Sequence, residues 1–206
     1  MNGGGSSVAG LILAAGESRR MGSPKALLRY EDETFLERLC RLFAERCDPV
    51  IVVLGAGADE IRRQTRAAAA RFVVNDRYLL GQTTSMQCGL RAVPPESEGV
   101  LFTLVDHPAV AEATVDVLLK RRVGFSPPGA TAPLLCVPRY HATRGHPIYF
   151  SRALIPEFLA LTEDGAARDV VRRHAGETLF LDLDDPGIVA DIDDPAAYRS
   201  LLEARA

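Results

Sequence analysis

The sequence predicts an α/β fold in which helices cover both faces of a mainly parallel sheet. Short apolar runs, such as 8–13, 50–54 and 100–105, have the length of buried strands. Segments with helical periodicity separate these runs, so strands and helices alternate along the chain. Hydrophobic residues make up 47% of the 206 positions, which is enough for the core of one domain. We therefore expect three layers, α/β/α, in a single domain spanning residues 1–206.

The first part of the chain, about 8–125, contains four predicted strands and four predicted helices. Thr34 and Glu37 have the spacing of a capping box, so a helix is expected to begin at Thr34 and to end before Pro49. Thr83 or Thr84 is expected to cap the third helix. The predicted strands are 8–13, 50–54, 72–74 and 100–105. The other predicted helices are 58–70, 85–93 and 111–123.

The second part, about 126–206, is predicted to form a small β-rich lobe. The runs 134–137 and 148–150 flank a turn-rich segment as the two strands of a hairpin would. Asp194 and Pro195 fit the N-cap and the first position of the last helix. Further predicted helices lie near 152–161 and 166–174, and further predicted strands at 178–183 and 188–192.

The charge balance argues against a nucleic-acid partner. The chain has 24 Lys and Arg residues against 27 Asp and Glu residues, so its net charge is −3 rather than strongly positive. The acidic residues are concentrated at 151–206, where 12 of them accompany six basic residues. Of these, Asp182, Asp184 and Asp185 are expected to face solvent.

The apolar runs and the cysteines indicate a cytoplasmic protein. No apolar run approaches the length that spans a bilayer, and the first residues are Gly- and Ser-rich without a basic segment, so neither a membrane segment nor a secretion signal is expected. The four cysteines form no CxxC or CxxH pair, which predicts neither a zinc site nor a disulfide framework.

The loop after the first predicted strand has the composition of a phosphate-binding loop. Ligands of parallel sheets bind at the carboxyl ends of the strands, and this loop begins there. Gly16 and Gly22 would let the backbone approach a ligand, so that N–H groups face phosphate oxygens. Arg20 and Lys25 add positive charge to the same loop. It is not a Walker A loop, because no Gly-Lys-Ser/Thr is present.

The run LAAGESRRMGSPKALL at 13–28 resembles the signature loop of MobA-like nucleotidyltransferases. Its LAAG opening is most similar to the molybdenum cofactor cytidylyltransferases. Five further segments resemble family motifs in the family's order, so the resemblance covers essentially the whole chain. These are Gly81 to Ser85 with Gly89, then Asp106-His107-Pro108, Gly145-His146-Pro147, Gly165 to Arg168, and Asp191 to Pro195.

The resemblance implies a Rossmann-like nucleotidyltransferase fold and Mg²⁺-dependent transfer of CMP from CTP to molybdopterin, with release of pyrophosphate. Arg20 and Lys25 would be catalytic and would bind the phosphates. Asp106 and Asp193 would hold Mg²⁺. The first part of the chain would bind the nucleotide and the second part the acceptor. The implied nucleotide-binding residues are Leu13, Ala14, Ala15, Gly16, Arg20, Lys25, Gln82, Thr83, Ser85 and Gly89. The implied acceptor-binding residues are His107, Gly145, His146 and Pro147.

The choice of the second carboxylate also follows from local structure. In a strand, Asp191 and Asp193 would share one face and could both point at the site, whereas Asp194 is needed as a helix cap. We expect Asp193 to be the ligand and keep Asp191 as the alternative.

Other functions stay open at this point. Within the same class, the chain could be a guanylyltransferase of the cofactor pathway, or a sugar-phosphate or isoprenoid-pathway cytidylyltransferase. His107 stands where the family commonly has Gln, which leaves the substrate contacts there undecided. From another class, it could be a non-catalytic nucleotide-binding partner or chaperone of a molybdoenzyme. A dinucleotide-dependent oxidoreductase is disfavoured, because the motif that begins at Gly55 and Gly57 lacks its third glycine.

Overall fold

The computed structural model describes residues 7–124 and 132–203. The strands in these residues are β1 Val8–Ala14, β2 Arg29–Tyr30, β3 Glu33–Thr34, β4 Val50–Leu54, β5 Ala70–Val74, β6 Gly99–Leu104, β7 Leu135–Tyr140, β8 Thr143–Arg144, β9 Ile148–Ser151 and β10 Thr178–Asp182. The α-helices are α1 Phe35–Ala44, α2 Ala58–Gln64, α3 Gln82–Leu90, α4 Glu112–Gly124, α5 Ile155–Leu159, α6 Ala167–Arg173 and α7 Pro195–Glu203.

One mainly parallel sheet forms the centre of the molecule, as the sequence predicts. Its strand order is β10-β7-β9-β6-β1-β4-β5, and β8 pairs with β7 outside this path. β1 lies between β4 and β6 and is parallel to both. β9 is antiparallel to its neighbours β6 and β7, which confirms the predicted antiparallel pairing of 134–137 with 148–150. The strands after residue 130 therefore extend the sheet that the first part of the chain begins.

Two hydrophobic clusters cover the faces of this sheet. In β1, Val8, Ile12 and Ala14 belong to one cluster, whereas Ala9, Leu11 and Leu13 belong to the other. Successive side chains of a strand point to opposite faces, so these clusters are the two sides of the sheet. The first cluster contains side chains of α1, α2, α4 and α7, and the second contains those of α3, α5 and α6. The three-layer α/β/α prediction is confirmed.

The predicted helix caps at Thr34 and Asp194 are confirmed. The Thr34 hydroxyl oxygen accepts a hydrogen bond from the backbone N–H of Glu37, and the Glu37 carboxylate accepts one from the backbone N–H of Thr34. The Asp194 carboxylate accepts hydrogen bonds from the backbone N–H groups of Ala196 and Ala197, both at 2.9 Å. Each cap satisfies N–H groups that the first turn of a helix leaves without an intrahelical partner.

Several helix boundaries differ from the prediction, notably those of α2 and α3. α2 ends at Gln64 instead of residue 70, because β5 already begins at Ala70 to pair with β4. α3 begins at Gln82 rather than at Ser85, and neither Thr83 nor Thr84 caps it. The Thr84 hydroxyl donates to the carbonyl of Gly81, in the turn that precedes the helix.

The predicted strand 188–192 is wrong. This segment crosses the end of the sheet without pairing as a strand. The Ile192 N–H donates to the Asp106 carbonyl and the His146 N–H to the Ile188 carbonyl, both at 2.9 Å, and the other backbone hydrogen bonds donated by this segment are local, to carbonyls two or three residues earlier. Within this segment, the side chains of Ile188 and Ile192 are buried in the core. The alternation of apolar residues at 188–192 therefore reflects the burial of single side chains and not the pairing of a strand.

Asp185 is buried, which contradicts its expected exposure. Its carboxylate accepts hydrogen bonds from the Thr114 hydroxyl at 2.6 Å and from the backbone N–H groups of Ala111 and Gly187 at 3.0 and 2.9 Å. These bonds join the segment after β10 to the start of α4.

Among the described residues, no helix is both long and apolar enough to cross a membrane.

Candidate active site

A cleft of about 480 Å³ opens where β1 and β6 end. Its volume lies within the range of small-molecule sites. Because β1 and β6 end there, the cleft is at the edge of the sheet where the loop after β1 was expected to bind a ligand. Ten of the predicted site residues line the cleft: Leu13, Ala14, Ala15, Gly16, Arg20, Lys25, Gln82, Ser85, Asp106 and Asp193.

The loop between β1 and Lys25 folds back over the cleft through a turn at Ser18. The backbone of Ser18 has φ 51° and that of Gly22 has φ 71°, both in the left-handed region. The Ser18 carbonyl accepts a hydrogen bond from the Met21 N–H, and the Ser18 hydroxyl oxygen accepts one from the Lys25 N–H at 3.0 Å. Ser18 thereby holds the backbone of Lys25 in place, and with it the base of the Lys25 side chain. Ser18 lies inside the signature loop but was not among the predicted site residues.

Four charged side chains from distant parts of the chain meet in the cleft. The Lys25 ammonium donates hydrogen bonds to Asp106 Oδ2 at 3.1 Å and to Asp193 Oδ1 at 2.5 Å. Arg20 donates to Asp193 Oδ2 at 2.7 Å. The hydrogen bond from Lys25, and to a smaller extent that from Arg20, holds the pKa of Asp193 below its ordinary value. Asp193 is therefore ionised at neutral pH and can attract a cation.

The environment of Asp106 fits a divalent metal. Its Oδ1 atom is buried and accepts no hydrogen bond from any described residue. The Nε2 atom of His107 lies 3.7 Å from it, beyond hydrogen-bond distance. A buried carboxylate oxygen without a hydrogen-bond partner is costly, and a hard cation such as Mg²⁺ would satisfy it. The described residues contain no cluster of three or more potential ligands from His, Cys, Asp and Glu, so phosphate and water oxygens would complete the coordination.

Asp193 rather than Asp191 lies beside Asp106. The reason differs from the predicted one, since the segment is not a strand. The Ile192 N–H donates to the Asp106 carbonyl, and the next residue, Asp193, then points into the cleft. Asp191 is exposed and does not line the cleft.

A second cavity of about 420 Å³ adjoins the cleft, and Gln82 and Leu104 line both. Apolar side chains form most of its wall, and the guanidinium groups of Arg144 and Arg168 are its charged members. Of the predicted acceptor residues, Gly145 and His146 line this cavity. The apolar residues in its lining include Met86, Phe102, Val137, Ile148 and Val171.

His107 and His146 stack on each other, with ring centroids 4.7 Å apart. Burial lowers the pKa of His146 to about 3. Burial also lowers the pKa of His107, although the neighbouring Asp106 opposes that shift. Both rings are therefore neutral at pH 7.

Two of the predicted acceptor residues, His107 and Pro147, line neither cavity. His107 contacts the ring of His146, which does line the second cavity.

Residues of helix α3 line both cavities, and hydrogen bonds from this helix hold the wall of the second. The Thr83 hydroxyl donates to the Gly165 carbonyl at 2.6 Å. The Gln87 side-chain amide contacts the carbonyls of Phe158, Leu159 and Leu161 at 3.2, 3.2 and 2.9 Å. These bonds join α3 to the segment that leads into α6. Gln87 was not among the predicted site residues, because an isolated amide in a helix carries no recognisable signal.

Gly89 is required for the packing of α3 on the sheet. A Cβ atom at this position would lie 2.4 Å from Leu11 Cδ1 and 2.8 Å from Val53 Cγ2. Gly89 and Thr83 were both implied to bind the nucleotide, but neither lines the first cleft; Thr83 lines the second cavity. Arg168 belongs to a segment that the resemblance identified, and its position in the second cavity is apparent only from the structure.

The chain is similar in sequence to proteins of one known domain family. Residues 10–178 match the MobA-like NTP transferase domain. The nicotine blue oxidoreductase of Paenarthrobacter nicotinovorans is 31% identical over 198 residues, which cover 95% of this chain and 96% of that protein. The molybdenum cofactor cytidylyltransferase of Escherichia coli (strain K12) is 26% identical over 194 residues, 94% of each chain.

A solved structure with a similar sequence is that of Rv0371c from Mycobacterium tuberculosis H37Rv. It is 32% identical, with a TM-score of 0.81 over 96% of this chain and 98% of that one. The same protein has also been solved in complex with manganese, with a TM-score of 0.74 over 97% of this chain and all of that one. Because the matched domain spans more than half of the chain, the protein belongs to the family of MobA-like NTP transferases.

Proposed function

We propose that the protein is a nucleotidyltransferase that transfers CMP from CTP to a molybdopterin-type acceptor, with Mg²⁺ as its metal. The observation that carries this proposal is the meeting of Arg20, Lys25, Asp106 and Asp193 in one cleft that joins a mainly apolar second cavity. The first cleft would hold the nucleotide and the second the acceptor. The acceptor's phosphate would then face the nucleotide at their junction near Gln82.

The basic residues would hold the triphosphate. A nucleoside triphosphate carries about four negative charges, which cations and backbone N–H groups must balance in a low-dielectric site. Arg20 offers a planar pair of donors and Lys25 a compact charge. The backbone of Ala14 to Gly16 lines the same cleft. Ser85 accepts a hydrogen bond from the Asn75 amide at 2.9 Å, so its hydroxyl hydrogen is directed elsewhere and can donate to the base or ribose.

Asp106 and Asp193 would hold the metal. When bound, a divalent ion stabilises the negative charge that develops on the phosphate oxygens during transfer. The free Oδ1 atom of Asp106 and the ionised carboxylate of Asp193 supply the oxygen ligands that such an ion prefers. A relative with the same fold has been solved with manganese, which supports a divalent ion in this family.

The second cavity fits an acceptor that has a flat apolar body and an anionic group. Phe102 and Val137 are among the apolar side chains that would contact the body, and Arg168 would attract the anion. An acceptor phosphate oxygen forms the new bond to the α-phosphorus, while the bond between that phosphorus and the bridging oxygen of the β-phosphate breaks, so pyrophosphate leaves with the electron pair. The attacking phosphate is already ionised, so no general base is needed. This agrees with the neutral, stacked His107 and His146.

A pyrophosphate-release assay tests the proposal. CTP and GTP are each supplied with Mg²⁺, with and without molybdopterin. We expect release with CTP only when the acceptor is present. Release with GTP instead would assign a guanylyltransferase. Nucleotide binding without any release, in every combination, would contradict the transferase proposal and favour a binding partner or chaperone of a molybdoenzyme.

A second candidate is an oxidoreductase, and the observation that favours it is the similarity to nicotine blue oxidoreductase over nearly the whole chain. The joined cavities could place a nicotinamide dinucleotide beside a flat dye in the second cavity. The nicotinamide dinucleotide would supply the hydride that reduces the dye and would itself be oxidised, and water would supply the proton. NADH or NADPH oxidation, followed at 340 nm with such a dye, tests this candidate. Oxidation at the uncatalysed rate would exclude it.

A further inference from the structure

Lys25 bridges the two carboxylates that would hold the metal. Its ammonium lies 3.1 Å from Asp106 Oδ2 and 2.5 Å from Asp193 Oδ1, and the Lys25 and Asp106 side chains are only 13% and 18% exposed. We infer that Lys25 occupies the position between Asp106 and Asp193 until a triphosphate binds, so that metal affinity depends on the nucleotide. This inference rests on the proposed function of the same cleft.

The bridge would oppose a divalent ion in two ways. A metal held by the Asp106 and Asp193 carboxylates would lie close to the ammonium group that bridges them. It would also be repelled by a positive charge only a few ångströms away, in a partly buried site where solvent screens charges weakly. Arg20 adds to this effect, because it already donates to the other oxygen of Asp193. Each carboxylate is thus already paired with a cationic side chain before any metal arrives.

A triphosphate would remove this obstacle. Its oxygens offer Lys25 and Arg20 partners with more negative charge than the two carboxylates have. The basic side chains can reach them, because both line the same cleft. Once they turn to the phosphates, Asp106 and Asp193 are free for the ion. By thermodynamic linkage, the nucleotide and the metal then each raise the affinity of the other by the same factor.

The experiment measures Mn²⁺ binding without any nucleotide, by electron paramagnetic resonance of free Mn²⁺. The chain has two lysines, so Lys25→Met has a matched control in Lys120→Met, which removes one charge from an exposed site on α4. We expect Lys25→Met to bind Mn²⁺ at least tenfold more tightly than the unmodified protein. Lys120→Met should bind it as the unmodified protein does. Adding Asp193→Asn to Lys25→Met should abolish the gain.

Two outcomes would overturn the inference. If Lys25→Met binds Mn²⁺ no more tightly than the unmodified protein, while Asp193→Asn lowers that binding, the metal site is correct but Lys25 does not compete for it. If no variant binds Mn²⁺ at all, the metal part of the proposed function fails as well. Thermal melting verifies that Lys25→Met is folded. Lys25→Arg, which keeps the charge, is a second test and should retain the weak binding of the unmodified protein.

Discussion

Lys25 and Asp193 are 168 positions apart in the sequence, yet their charged atoms lie 2.5 Å apart. One follows the first strand and the other precedes the last helix. The sheet brings them together, because β1 and β6 end at the same edge and the segment before α7 crosses it. The contact makes the two ends of the chain parts of one site, and substitutions at either end should affect the same reaction.

We expect Lys25→Met and Asp106→Asn each to lower pyrophosphate release by about a hundredfold or more, since each removes a charge that stabilises the developing phosphate charge. Steady-state rates with CTP and acceptor measure this. Lys120→Met is the control and should keep the normal rate. Lys25→Met is expected to turn over more slowly even though it binds metal more tightly. Normal turnover by either site variant would remove that residue from the catalytic group.

Arg168→Ala should weaken acceptor binding without weakening nucleotide binding. Arg168 lines the second cavity and does not line the first cleft. A lost ion pair with the acceptor's anionic group would raise the KM for the acceptor by about tenfold, and the KM for CTP should stay the same. Arg172, on the same helix, pairs with Asp169, so Arg172→Ala controls for a loss of charge from α6. An equal rise in both KM values would argue against a separate acceptor site.

Much of the site followed from sequence because its residues belong to short local motifs. The loop that contains Arg20 and Lys25 begins where a buried strand ends, so its location at the edge of the sheet follows from the strand pattern. The position of Asp193 does not follow in this way. It depends on the hydrogen bond between Ile192 and Asp106, which joins segments that no local pattern connects.

In the fold as well, features set by local sequence were predicted and features set by distant contacts were not. Most of the longer strands and the caps at Thr34 and Asp194 were predicted from periodicity and spacing, whereas the segment 188–192 has a strand-like pattern without a strand partner. The burial of Asp185 could not be read from the sequence, since its partners at Ala111 and Thr114 are more than 70 positions away. Tertiary contacts of this kind override local propensity.

Gly89→Ala should destabilise the fold by roughly 1–3 kcal/mol, because the added methyl group would overlap Leu11 and Val53 at the interface between α3 and the sheet. Urea denaturation measures the free energy of unfolding. Gly16→Ala is the matched control, since no atom lies within 4 Å of the position that its Cβ would take. That variant should be as stable as the unmodified protein. Equal stability of both variants would show that α3 can move away from the sheet.

Asp185→Ala should lower the free energy of unfolding by roughly 2–4 kcal/mol. It leaves the Thr114 hydroxyl and two backbone N–H groups without their acceptor in a buried place. Asp184→Ala, one residue earlier and exposed, should change stability by less than about 0.5 kcal/mol. Chemical denaturation of the two variants provides the comparison. Similar losses for both would mean that the carboxylate of Asp185 is not important for joining this segment to α4.

His146 should make the protein less stable as the pH falls. Its pKa is about 3 in the folded protein and about 6.5 in the unfolded chain, so between these values the unfolded chain binds more protons. Stability is therefore fully present above pH 6.5 and decreases below it, by about 2 kcal/mol at pH 5 for this one group. His146→Gln removes the titration, and its stability should fall less steeply between pH 7 and pH 5 in urea denaturation.

His174 provides a control of opposite sign. Hydrogen bonds to Glu177 and Glu157 raise its pKa, so the folded protein binds its proton more tightly than the unfolded chain does. Its contribution is present below the unfolded pKa and is lost as the pH rises through the folded value. His174→Gln should therefore reduce the loss of stability on raising the pH and leave the acid side unchanged. A His146→Gln variant whose stability falls between pH 7 and pH 5 as steeply as that of the unmodified protein would contradict the lowered pKa of His146.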